Sequence, residues 1–247
     1  MILNMAANSH AAFEETNCSA RCAGLCDAVT ANSCGVIGIF YNPASIHNQY
    51  SLQLHIFHAN PYGLDELYLS SVAAAWSRAR YTLAAAVKSL ANPAYQELQL
   101  YLGYMYRLPM GIDAGCCLRY GSVAIKNYGR GNSFILDLGA QYNIISNIRY
   151  GFSITNVNYA RLGRCREKVP QIIRTGVTVT AIERTSLSMD FVKDPRFPPD
   201  IRIGVEYHIF ERFYLRAGSA LMPSRWSAGF TVNLSICTLD YAYKSHI

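Results

Sequence analysis

Residues 200–209 read DIRIGVEYHI, and residues 225–234 read RWSAGFTVNL. Apolar and polar residues alternate in both segments, and successive side chains of a β-strand point to opposite faces of its sheet. Each segment is therefore predicted to be a strand with one apolar and one polar face. The same pattern recurs through residues 170–244, so the C-terminal third of the chain is predicted to be a β-sheet with two unlike faces.

The pattern extends back to about residue 50, in segments of roughly ten residues separated by polar breaks. Tight breaks such as residues 143–147 and 210–212 are typical of antiparallel hairpins. The thirteen candidate strands begin near residues 50, 66, 79, 97, 116, 133, 146, 170, 185, 200, 212, 225 and 236.

Three segments are less regular. Residues 81–90 are rich in alanine and fit a helix as well as a strand. Residues 12–34 are rich in small residues and are predicted to form one or two short helices. Residues 35–45, GVIGIFYNPAS, are predicted to form a short strand that ends at Asn42-Pro43, because proline cannot continue a ladder.

The composition is unusually poor in charge. Charged residues are 15% of the chain and apolar residues 51%, whereas soluble domains carry about 25% charged residues. No stretch approaches the roughly 18 apolar residues of a spanning helix. An apolar soluble β protein and a membrane barrel, whose alternation dilutes its hydrophobicity, both fit. The net charge of +6 forms no basic stripe, which argues against nucleic-acid binding.

Glycines and charges share the polar face of the predicted strands. Glycine weakens a strand, so its repeated use on one face indicates curvature or crowding, as inside a closed barrel. The mid-strand glycines are Gly103, Gly139, Gly151, Gly176, Gly204, Gly218 and Gly229. The charged residues are Arg107, Asp137, Arg149, Arg174, Asp190, Arg202, Glu206, Arg216, Asp240 and Lys244.

Mixed charges in a narrow lumen would pair across it, whereas on an open sheet they would form a hydrated face. The candidate ligand-contacting residues of such a lumen are Arg174, Asp190, Arg202, Glu206, Arg216 and Asp240. The tyrosines and Trp226 lie mostly near strand ends, where a membrane barrel carries its aromatic girdles.

No motif for catalysis, a cofactor or a metal is found. The chain has no Gly-x-Ser-x-Gly elbow, phosphate-binding glycine loop or HExxH. His55 and His58 would lie on opposite faces of a strand and make a poor metal pair. Cys18, Cys22 and Cys26 are spaced to stack on one helix face, but they match no common zinc pattern. They are interpreted as fillers of small buried positions, with a metal site as the alternative.

The ordered set of short motifs resembles the PorV/PorQ-type outer-membrane proteins, which are relatives of the FadL long-chain fatty-acid channel. The resemblance rests on a small-residue segment at 20–24, a Tyr-Asn-Pro-Ala turn at 41–44, and strands such as IGVEY (203–207) and LRAG (215–218). It closes with SAGF (227–230), LDYAY (239–243) and Ser245-His246. It covers nearly the whole chain and is best over residues 164–246.

The resemblance implies an antiparallel transmembrane β-barrel of about 13–14 strands in the bacterial outer membrane. Residues 46–247 would form the barrel, and residues 12–45 a plug or hatch with the motif Tyr41, Asn42 and Pro43. Residues 1–11 are interpreted as the remnant of a signal peptide, because Ser9-His10-Ala11 resembles its small-x-small end. An ordinary N-terminal tail is the alternative.

The chain departs from the family in two ways. Cysteines replace small residues near its N-terminus, and the family's last strand after Ser-His is missing, which predicts a fragment, a frameshifted ending or closure by the N-terminal segment.

The implied function is to bind or pass a hydrophobic small molecule, such as a fatty acid, in contact with outer-membrane lipid. One alternative is a type IX secretion accessory protein that docks exported proteins, and a second is a soluble β-sandwich binding domain.

Overall fold

A computed structural model describes residues 12–47, 50–163, 166–182 and 184–245. The interpretation of residues 1–11 as a signal remnant therefore lies outside the described residues. One α-helix, α1, spans Ala20–Gly24, and no helix in the described part is both long and apolar enough to cross a membrane. Short 3₁₀ helices span Gly35–Phe40, Pro43–Ser45 and Pro61–Gly63.

Most of the described chain is β-structure, as the alternation predicts. The strands are β1 (Leu52–Ala59), β2 (Tyr68–Ser77), β3 (Tyr81–Ala91), β4 (Tyr95–Arg107), β5 (Ile112–Ile125), β6 (Gly129–Ile145), β7 (Ile148–Thr155), β8 (Arg161–Leu162), β9 (Glu167–Lys168), β10 (Ile172–Ile182), β11 (Thr185–Lys193), β12 (Asp200–Phe210), β13 (Phe213–Ala220), β14 (Arg225–Asn233) and β15 (Thr238–Lys244).

Thirteen of these strands form one antiparallel sheet in the order β1 to β7 and then β10 to β15, while β8 and β9 pair only with each other. The predicted strand starts are confirmed to within four residues. The alanine-rich segment is strand β3, because ladders to β2 and β4 hold it on both sides and override its helix propensity. A two-sheet sandwich is not the fold of this chain.

The polar face of the sheet is the buried one. Arg174 is 3% exposed and Arg216 is 6% exposed, whereas Ile203 and Leu215, which point to the other face, are 47% and 41% exposed. A water-soluble sheet buries its apolar face, because that removes apolar area from water. The sheet is thus inverted, with an apolar outer surface suited to lipid. The predicted interior location of the glycines and charges is confirmed.

Residues 12–47, here called the plug, lie against this inner face. The helix α1 contacts β13 to β15, Gly35–Phe40 contacts β1 to β3, and Pro43–Ser45 contacts β4 to β6. One short segment reaches strands at both ends of the sheet order, so the sheet curls around it as a barrel. Among the described residues β1 and β15 have no ladder between them. The missing last strand stays a prediction.

The two ends of the barrel have different connections. At the short-turn end every link between strands is two to four residues, as at 146–147 and 211–212. The long-loop end includes residues 60–67 and 156–171. Outer-membrane barrels have short periplasmic turns and longer extracellular loops.

The prediction of a strand over residues 35–45 is wrong. The segment forms two 3₁₀ helices, and Val36, Ile37 and Ile39 are all buried. Gly38 lies so close to Ser45 that a Cβ on it would collide with the serine. The chain therefore folds back on itself inside the lumen, where every side can be apolar.

The predicted stacking of three cysteines on one helix face is also wrong. The helix α1 holds only Cys22, while Cys18 precedes it and Cys26 follows it with a φ of 49°. All three side chains are buried, which confirms their interpretation as fillers of small positions. His55 and His58 lie on opposite faces of β1, as predicted.

Candidate functional site in the plugged lumen

Asp190 on β11 holds the middle of the plug. Its Oδ2 accepts hydrogen bonds from the backbone N–H of Val29 (2.8 Å) and Thr30 (2.9 Å) and from Thr30 Oγ1 (2.7 Å). Asp190 is fully buried. Hydrogen bonds to an ionised carboxylate are shorter and stronger than neutral ones. One barrel side chain therefore fixes the position of two plug residues.

Glu206 on β12 joins the plug to the barrel wall through two arginines. Its Oε2 lies 3.2 Å from Nε of Arg21 in the plug and 2.5 Å from Nε of Arg216 on β13. Arg216 also pairs with Asp240 on β15 at 3.2 Å. Buried charges cost several kcal/mol each unless they are paired, so this network depends on all its members.

A second charged cluster anchors the start of the plug. Glu15 accepts from Arg202 (2.7 Å) and Arg174 (3.2 Å), and Arg202 also contacts Asp200 at 2.8 Å. Burial alone would raise the pKa of Glu15, but the charges of Arg202 and Arg174 outweigh it and hold this pKa well below its usual range. Glu15 is therefore a carboxylate wherever the plug is docked.

All six predicted lumen residues lie on the inner face, and four of them contact the plug: Arg174, Asp190, Arg202 and Glu206. The other two, Arg216 and Asp240, complete the Glu206 network. Their role in ligand binding stays a prediction, because in this plugged state they bind the chain's own N-terminal segment.

The motif residues Tyr41, Asn42 and Pro43 knit the plug together. Tyr41 donates its hydroxyl to Asp27 (3.1 Å), and Asn42 donates to the carbonyl of Thr30 (2.8 Å). Asn42 also caps the helix that Pro43 begins, accepting from the N–H of Ala44 at 3.0 Å. Both the Thr30 loop and the 3₁₀ helix are thus set by Asn42.

Sequence reasoning missed the uncharged side chains that hold the plug backbone. Gln141 donates to the carbonyls of Thr30 and Asn32, both at 3.1 Å. Ser153 donates to the carbonyl of Tyr41 at 3.0 Å, and Gln53 accepts from the N–H of Val36 at 2.7 Å. Their inner-face positions in the alternation were the one signal that could have found them.

The inner-face glycines make room for the plug backbone. A Cβ on Gly151 would overlap the carbonyl of Thr30, one on Gly218 would overlap Leu25, and one on Gly139 would overlap Asn42. The predicted crowding is confirmed, and its cause is the close approach of a second chain segment.

Gly151→Ala is expected to loosen the plug, because the neighbour of the new methyl group is backbone that cannot move alone. The amide hydrogens of plug residues near Thr30 should exchange with deuterium at least about tenfold faster, reflecting a docking loss of about 1.4 kcal/mol. Gly103→Ala is the matched control, since its Cβ would meet only the side chain of Ile39, at 3.3 Å. Equal exchange in the two variants would contradict the tight approach at Gly151.

Glu15 makes the stability of the docked plug depend on pH in an acidic window. A carboxyl whose pKa is depressed in the folded state stabilises that state above its unfolded pKa, and loses this effect as the pH falls through the folded value. The difference in melting temperature between the wild type and Glu15→Gln should be full above about pH 4.5 and shrink only well below it. A difference that disappears between pH 7 and 6 would show that Glu15 is not held by the arginines.

The fold and the lumen define a class: a plugged antiparallel β-barrel with an apolar outer surface. No protein-family model and no curated protein sequence matches the chain. Its structure is similar to the toluene transporter TodX of Pseudomonas putida, with 10% sequence identity over 93% of each chain and a TM-score of 0.69. It is also similar to the toluene transporter TbuX of Ralstonia pickettii, with 11% identity, a TM-score of 0.68, and coverage of 91% of this chain and 92% of that one.

A Pseudomonas aeruginosa FadL homologue shares the same architecture, with 10% identity and a TM-score of 0.63 over 93% of this chain and 90% of the homologue. The chain therefore has a FadL-like fold, as the resemblance implied. The narrower likeness to PorV and PorQ stays a prediction.

Proposed function

We propose that the chain is an outer-membrane channel that binds and passes a hydrophobic small molecule, with the plug closing the lumen until it rearranges. The observation that carries the proposal is the inverted sheet filled by the chain's own N-terminal segment. An apolar outer face fits the barrel to a bilayer, and a removable filling gives it a path that can be opened.

The lining of the lumen supports a hydrophobic cargo. On strands β2 to β4 the buried inner residues are small or apolar: Ala73, Ala75, Ala84, Ala86, Tyr101 and Met105. The plug residues Val36, Ile37 and Ile39 belong to the same apolar cluster. The charged groups that contact the plug through ion pairs lie on β10, β12 and β15. Movement of Gly35–Phe40 would uncover an apolar wall for a ligand without unpairing those charges.

The cargo class follows from this wall and from the structural neighbours, two of which are toluene transporters and one a "monoaromatic hydrocarbon channel". A fatty acid or a monoaromatic hydrocarbon has the apolar surface to replace the plug contacts. The alternative of a type IX secretion accessory protein stays a prediction that no contact among the described residues favours.

The test is uptake by a bacterial host that lacks its own channels for hydrophobic compounds. Cells that express the chain should take up labelled oleate or toluene faster than cells with an empty vector, while uptake of a hydrophilic sugar should be unchanged. Unchanged uptake of both hydrophobic compounds, with the barrel folded in the outer membrane, would overturn the proposal. Equal acceleration of sugar uptake would indicate a general pore.

A further inference from the structure

The hairpin of β8 and β9, at the long-loop end, carries two cations directly opposite each other. Arg161 pairs with Lys168 in the ladder, and Leu162 pairs with Glu167. Residues opposite each other share a face, and neighbours alternate. Leu162 is buried against Gly131, so its face is turned inward. Arg161 and Lys168 lie together on the exposed face, apart from the only carboxylate of the two strands.

The turn between β5 and β6 brings two more cations to the same place. The N–H of Gly163, just after β8, donates to the carbonyl of Asn132 at 3.3 Å. Arg130 is two residues before Asn132, and Lys126 precedes it in the same turn; both are exposed. We call Lys126, Arg130, Arg161 and Lys168 the basic rim.

The basic rim has no ion-pair partner in the part of the chain that the structure describes. Like charges opposite each other in a ladder destabilise it. The lumen arginines, by contrast, pair with carboxylates at 2.5–3.2 Å. The rim is therefore a concentration of positive charge that the protein itself leaves uncompensated.

The outward residues of β6 place the rim at a defined height on the barrel. Leu138 and Phe134 are exposed on the outer face, and the ring of Phe134 lies 5.3 Å from that of Tyr120 on β5. Arg130 follows on the same face four residues further on, about 13 Å along the strand. Apolar, aromatic and cationic side chains thus succeed one another as hydrocarbon, interface and headgroup layers do in a bilayer.

We propose that the basic rim binds the phosphate groups of a phosphorylated glycolipid in the outer leaflet, beside β5, β6 and the loop 156–171. The choice of leaflet rests on the proposed function, since long loops face the cell exterior in an outer-membrane barrel. A phosphate monoester carries a charge of about −1.5 to −2 and accepts several hydrogen bonds, which suits several cations gathered at one height.

The experiment measures binding of bis-phosphorylated lipid A to the full chain in detergent micelles, with dephosphorylated lipid A as the comparison lipid. The triple variant Arg130→Ser, Arg161→Ser, Lys168→Ser should bind lipid A at least about tenfold more weakly, since each cation near a lipid surface contributes measurably to binding. The matched control, Arg78→Ser, Arg80→Ser, Arg212→Ser, removes three cations from the short-turn end and should stay within about twofold of the wild type. Dephosphorylated lipid should bind the wild type and the triple variant equally.

Equal binding of lipid A by the wild type and the triple variant would overturn the inference, and so would equal binding of the phosphorylated and dephosphorylated lipids by the wild type. Displacement of lipid A by millimolar inorganic phosphate alone would indicate a free-anion site and would also overturn it. Heat-modifiable gel migration of every variant separates the two proposals. A folded barrel with no phosphate preference loses only this inference, whereas a wild type recovered without detergent loses the proposed function as well.

Discussion

Asp190→Ala is expected to release the plug while the barrel stays folded. The substitution removes three hydrogen bonds to one carboxylate oxygen and leaves the N–H groups of Val29 and Thr30 without their acceptor. Hydrogen bonds to a charged group contribute about 1.5–3 kcal/mol each. A loss of about 3 kcal/mol in docking would raise the released population roughly 100-fold.

The release can be read from the thiols. Cys22 in the plug is fully buried, whereas Cys237 is exposed at the short-turn end and provides an internal reference. The rate at which a membrane-impermeant maleimide modifies Cys22, relative to Cys237, should rise by about two orders of magnitude in Asp190→Ala, in step with the released population. Ser188→Ala is the matched control, because Ser188 is buried on the same strand but bonds to Thr178 of the barrel. Similar rates in both variants would contradict the role of Asp190.

Glu206→Ala is expected to lower the free energy of unfolding by about 3–5 kcal/mol, the usual cost of removing one partner of a buried ion pair. Arg21 would lose its carboxylate, and Arg216 would keep only Asp240. The measurement is urea unfolding of the barrel in lipid vesicles, followed by loss of heat-modifiable migration.

Asp113→Ala provides the comparison for this loss. Asp113 pairs with Arg107 at 2.7 Å, but the arginine side chain is 42% exposed. Exposed pairs contribute about 0–1 kcal/mol. If both substitutions cost the same, the polar face of the sheet is hydrated rather than enclosed, and the inverted arrangement is wrong.

The strands were predictable because their signal is local. Alternation with period two depends only on neighbouring residues, and the glycines and charges then identified which face is inside. Residues 35–45 were misjudged for the complementary reason. A run such as Val36 to Phe40, which is apolar all round, carries no period that could separate a strand from a buried 3₁₀ segment.

The plug contacts could not be predicted from local pattern at all. Thr30 meets Asp190 across 160 residues of sequence, and Arg21 meets Glu206 across 185. The charges on the polar face correctly indicated pairing, but their partners lie partly on the N-terminal segment, where Glu15 and Arg21 have no distinguishing context. Only the closure of the sheet around the plug brings these groups together.

The most direct test of the inverted barrel uses its two tryptophans, Trp76 and Trp226, which are both exposed on the outer face. The chain is reconstituted in bilayers whose lipid tails carry bromine, which quenches tryptophan fluorescence on contact. Strong quenching of both residues, assigned with Trp76→Phe and Trp226→Phe, is the result that a lipid-facing apolar surface predicts. Unquenched fluorescence of chain associated with the vesicles, or chain that stays in the aqueous phase, would contradict it.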